Sequence, residues 1–151
     1  MKRLQRLWLN IKINIIWWPT HYFLMAGFKK TKGDMSCNKK NTCDKPLVYS
    51  CSGCSSAAQM ANYIAVKIDR KAIAEMSCIV GVGGNVKKMV NTAKSGRKII
   101  AIDGCPLSCS KACLSNHHIE PDLHFELTQF GVKKKNHVDF DPNQADSILE
   151  I

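Results

Sequence analysis

What most constrains this chain is an alternation: short apolar runs, several closing on or near a cysteine, separated by segments of helical periodicity. "PLVYSC" (46–51) reads as a buried strand ending on a thiol. After it Ala57, Met60, Ala61, Ile64, Ala65 and Ile68 recur at three- and four-residue steps. That spacing predicts an amphipathic helix of roughly 14 residues, with Ser55 or Ser56 as its N-cap. "AEMSCIVGVGG" (74–84) predicts a second strand running into a glycine-rich turn. Val86, Met89, Val90 and Ala93 then predict a short helix that stops at Gly96. "RKIIAIDGC" (97–105) is a third strand, and Pro106 suits the first position of a helix running to about Asn116. "DLHFELTQF" (122–130) predicts a fourth strand, and "DPNQADSILE" (141–150) a last helix opened by Asp141 and Pro142. Strands joined by helical crossovers over short links run parallel. The expected fold is α/β: a three-layer open parallel sheet of about four strands, Rossmann/flavodoxin-like, with crossover helices.

On this reading Cys51, Cys78 and Cys105 lie at or near the carboxyl ends of three different strands. Cys54 sits on the turn after the first strand, and Cys109 one helical turn beyond Cys105. Open α/β sheets place their sites at that edge, where helix N-termini favour thiolate over thiol. Thiolate is the ligand form for zinc and for iron–sulfur clusters. Cys51, Cys54, Cys78, Cys105 and Cys109 are therefore the candidate metal ligands, with Cys78 a fifth ligand, a replacement ligand or a core residue. Cys113 reads as a packed helix cysteine that could still reach the site. Cys37 and Cys43 lie in a polar lead-in and carry no assigned role. Asp103 is expected to shape the turn or accept a hydrogen bond at the site, and His117-His118 to cap a helix end.

Charge narrows the partners. The formal charge is +10, but residues 1–34 hold seven Lys/Arg and one acid, so much of the excess sits in the leader. Lys133-Lys134-Lys135 has no interleaved aromatics and reads as a solvated turn, so nucleic-acid binding is not expected. Residues 1–44 form a basic, apolar leader, flexible or upstream of a true start at Met35, and 45–151 the metal-binding domain. The leader holds all three tryptophans, yet Lys12, two asparagines and Pro19 interrupt it. A spanning helix is not predicted, and membrane association is expected only through the leader as an interfacial anchor. The expected compartment is the cytoplasm.

"IDGCP", following "VYSCSGCSSAAQMAN" and "MSCIVGVGG", resembles the DGC-domain family, proteins proposed to bind zinc. The resemblance covers about residues 46 to 130 and is expected to run on to the C-terminus, with the leader outside it and Asp103-Gly104-Cys105 as the naming motif. It implies a zinc site of four chelating cysteines and no particular reaction; five thiols lie in the matching segments, so ligand identity stays open. Three functions follow for comparison. One is a zinc-binding carrier, sensor or accessory protein. The others are an iron–sulfur electron carrier and a thiol–disulfide oxidoreductase built on Cys51-Ser52-Gly53-Cys54. A phosphatase-type phosphate loop is discarded, because the required arginine position holds Ala57.

Overall fold

The computed structural model describes residues 45–150, and every expectation placed on the leader lies outside them. Four strands form one all-parallel sheet in the order β2-β1-β3-β4. They are β1 (Leu47–Ser50), β2 (Glu75–Met76), β3 (Ile99–Asp103) and β4 (Leu123–Glu126). β1 pairs with β3 from Leu47 opposite Ile99 to Ser50 opposite Ile102, and β3 with β4 from Ile100 opposite Leu123 to Asp103 opposite Glu126. β1 is buried along its whole length, which is why it reads as a continuous apolar run rather than an alternating one.

Helix α1 (Ser56–Arg70) forms where the apolar periodicity places it. The Ser55 side chain accepts from the Ala58 amide, and Lys67 and Arg70 complement the dipole in the last turn. It packs with helix α5 (Pro142–Leu149) on one face of the sheet, where Met60, Ile64, Leu127, Val132 and Ala145 enclose Val48 and Ile102. Helices α2 (Ile79–Gly83), α3 (Lys87–Ala93) and α4 (Cys109–Ser115) cover the other face, with Ile79, Val82, Ala93 and Leu114 against Leu47, Tyr49, Ile99 and Ala101. Each fully buried aliphatic side chain of this kind contributes about 1.5–3 kcal/mol. Three layers result, as the alternation of elements implies. Asp141 and Pro142 open α5 as expected, the Asp141 carboxylate accepting from the Asn143 amide at 2.9 Å.

Three element boundaries differ from expectation. The second strand is only Glu75–Met76, and "IVGVG" is helix α2 rather than strand and turn. Close helix packing overrides the strand propensity of that run. A Cβ on Gly81 would lie 2.5 Å from Met89 Cγ, and one on Gly83 2.9 Å from Cys113 Sγ. Next, the helix after β3 begins at Cys109, not Pro106. Pro106 lies in a turn closed by Ser108 N donating to Cys105 O at 3.1 Å, and Ser108 takes a left-handed φ of 48°. Cys105 and Cys109 are therefore not one turn apart on a shared helix. Finally, Leu127–Phe130 tightens into a 3-10 turn instead of continuing β4. No helix among the described residues is long and apolar enough to cross a membrane.

Candidate functional site

β1 and β3 are neighbours, yet their chains leave in opposite directions. β1 leads to α1 on one face of the sheet and β3 to α4 on the other. That divergence makes the carboxyl ends of β1 and β3 the topological switch point of the sheet, the place where open α/β sheets bind ligands. Cys51 directly follows β1, Cys105 comes two residues after β3, and Cys78 two residues after β2. The Cys51 amide continues the ladder by donating to Ile102 O at 3.0 Å. Its thiol then accepts from the Gly104 amide at 3.1 Å, so a sulfur from the β1 loop rests on the backbone of the β3 loop.

Each member of Asp103-Gly104-Cys105 has a distinct physical task. Asp103 is 1% exposed, and its carboxylate accepts from the amides of Ser110 at 2.8 Å and Lys111 at 3.3 Å. It thereby caps the first turn of α4 from across the loop, a role that Ser108, held left-handed, does not fill. The His124 ring, on β4, lies 2.9 Å from Oδ2 of this carboxylate, the oxygen that also accepts from Lys111. Gly104 has no room for a side chain: a Cβ there would sit 2.4 Å from Ala57 O and 2.8 Å from Ala58 N. The loop therefore lies directly on the first turn of α1. Cys105 follows, half-buried at the rim, and Cys109 opens α4 with its side chain exposed.

Burial pushes the Cys51 thiol up to about 11. The Gly104 amide opposes that rise, while the charges of Asp103, Cys109 and Cys105 add to it. Cys51 is thus a neutral thiol at ordinary pH unless something replaces its proton. Burial also raises Cys113, with Cys109 and Asp103 adding to the effect. All six cysteines of the described residues are free thiols.

The structure brings Cys51 against the loop that carries Cys105, with Cys109 within electrostatic reach of it. Cys54 stands exposed three residues after Cys51. Cys78 acts as the N-cap of α2, its sulfur accepting from the Gly81 amide at 3.4 Å. Among the described residues, no group of three or more His, Cys, Asp or Glu side chains is disposed to hold a metal ion. Cys113 packs against Gly83, which agrees with its reading as a packed helix cysteine. His117 Nε2 lies 2.8 Å from Val82 O and ties the end of α4 to α2.

Two participants were not identified from sequence. His124 alternates with Glu126 along β4, but only the strand order places it beside Asp103. Lys133–Lys135 are exposed, as a solvated turn would be, yet their backbone is bonded to Ser56 at the start of α1. Neither contact has a signature in a single sequence.

Fold and site together define a parallel α/β domain with cysteines at the topological switch point of its sheet. The chain belongs to the DGC domain family, whose match spans residues 47–151. It is similar to the "Anaerobic and virulence modulator AnvM" of Pseudomonas aeruginosa, 52% identical over 104 residues that cover 69% of this chain and 79% of the relative. No solved structure matches the chain.

Proposed function

We propose that this domain is a zinc-binding accessory protein of carrier or sensor type, the ion held by Cys51, Cys54, Cys105 and Cys109. The observation that carries the reading is the 3.1 Å contact between the Cys51 thiol and the Gly104 amide, one residue before Cys105. The donor set fits the ion, because soft thiolates suit zinc and the nearby amides and helix starts offset surplus negative charge. Ser110 Oγ, buried directly after Cys109 without a hydrogen-bond partner, is a further polar group at that helix start. Cys78 would join only by giving up its cap on α2.

Bound zinc would supply Lewis acidity and a crosslink between the β1 and β3 loops. The chain's own residues hold the loops in place: Asp103 fixes the start of α4, and Gly104 seats the β3 loop on α1. A rim site with exposed thiols supports ligand exchange and transfer over a purely structural ion. The relative's name, that of a modulator, supports an accessory role over catalysis. Thiol–disulfide exchange has less support. Cys51 is buried and held protonated, so Cys54 alone would have to attack. Free thiols throughout the domain suit a reducing compartment, the cytoplasm.

Elemental analysis with a visible spectrum tests this on full-length protein purified anaerobically without added metal. About one zinc per chain and a colourless solution are expected, with the zinc lost in Cys51→Ser and Cys105→Ser. A brown protein carrying iron and sulfide would replace zinc with a cluster. A folded protein that takes up neither metal would end the proposal.

A further inference from the structure

The run Lys133-Lys134-Lys135 is pinned in place. Ser56 N donates to Lys135 O at 2.9 Å, Lys135 N to Ser56 Oγ at 3.1 Å, and Ser56 Oγ to Lys133 O at 3.4 Å. Ser55 pairs with Asn136 in an antiparallel bridge. The backbone is thus clamped on the first turn of α1, while the three lysines stand exposed. Among the described residues none of the three is ion-paired. Local electrostatics oppose this placement. Like charges are adjacent, and they sit beside the positive end of a 15-residue helix, where anions are favoured. Asp69, Glu75 and Asp122 are occupied by Arg70, Arg97 and Lys98, and Asp103 contacts His124.

The same helix turn also seats Gly104, against Ala57 and Ala58. Three residues on, Leu107 is 69% exposed. A cationic strip therefore borders the turn that follows Cys54, and the β3 loop seated on that turn carries an exposed leucine.

We propose that this strip docks an acidic segment of a partner protein, carboxylates on Lys133–Lys135 and an apolar side chain against Leu107. Charge complementarity selects the occupant, and the proposal does not depend on the metal reading. Nucleic acid fits less well. Tyr63 and Phe125 are paired with Phe140 and Phe130, so these rings are not free stacking platforms. Residues 45–150 also carry 13 Lys/Arg against 10 Asp/Glu, a weak field for a polyanion.

The test is fluorescence anisotropy on the full chain with a labelled peptide of Asp and Glu around one central Leu. A neutral Gln/Asn peptide of equal length, a single-stranded oligonucleotide and phosphatidylserine vesicles serve as competing probes. The acidic peptide is expected to bind best and to weaken with added salt. Combined Lys133→Glu, Lys134→Glu and Lys135→Glu should weaken it by about tenfold or more, and Leu107→Ser should weaken it less. Lys87→Glu with Lys88→Glu, both exposed on α3, should leave it unchanged. Equal affinity in the triple variant, no preference over the neutral peptide, or tighter binding of oligonucleotide or vesicles would each overturn the proposal. Should the triple reversal fail to fold, Lys134→Gln and the salt dependence decide the matter.

Discussion

At the residue scale, the name-giving motif is held by steric and hydrogen-bond demands as much as by its thiol. A Cβ at position 104 would meet the backbone of α1 rather than a movable side chain, so no rotamer change can relieve it. Gly104→Ala should therefore cost about 1–3 kcal/mol in urea unfolding, and an unchanged midpoint would contradict the packing described. Cys51 makes a second prediction, for metal-free protein. Its thiol titrates at about 11 in the fold against an ordinary value of 9.0. Below the lower value both folded and unfolded states keep the proton. As pH rises between the two values the unfolded state loses it first, so stability falls across that window. Urea unfolding of wild type and Cys51→Ala should diverge in slope between about pH 9 and 11, with the variant flatter; parallel curves would show that Cys51 is not held neutral. Sequence alone marked Asp103 as a turn or site residue. Its partners, the Ser110 and Lys111 amides and the His124 ring, are assembled by a loop and a neighbouring strand that no local pattern reveals.

Among the elements, legibility follows length. The 15 residues of α1 carry enough apolar repeats to define one face, and β3 is a long aliphatic run between charged residues and a glycine. The five residues of α2 carry no such repeat, and their valines and glycines mimic a strand end. They are helical because Gly81 and Gly83 allow Met89 and Cys113 to approach. This yields a coupling prediction. Gly-to-Ala in a helix ordinarily gains about 0.5–1 kcal/mol, but at Gly83 the new Cβ would meet Cys113 Sγ at 2.9 Å. Gly83→Ala should gain little or lose stability in wild type, and gain in a Cys113→Ala background. Identical effects in the two backgrounds, read by thermal unfolding, would contradict the contact. Pro106 misleads for a related reason. Its fixed φ suits the second position of a turn as well as the first position of a helix, and Ser108 in a left-handed conformation delays α4 to Cys109.

For the whole molecule, parallel strand direction was readable from the alternation of elements, but strand order was not. The placement of β3 beside β1, with connections leaving on opposite faces, creates the switch point and sets the Cys51 thiol against the β3 loop. Cysteines at strand ends were legible. The meeting of particular loops depends on that order, which no single-sequence pattern reveals. The most direct test of the central claim is zinc-edge X-ray absorption on the metal-loaded full chain and its Cys105→Ser variant. Wild type should show about four sulfur neighbours at about 2.3 Å, and the variant should lose a sulfur or the ion. A sulfur count unchanged in Cys105→Ser, or a first shell of nitrogen and oxygen alone, would mean that thiols of the β1 and β3 loops do not share a metal.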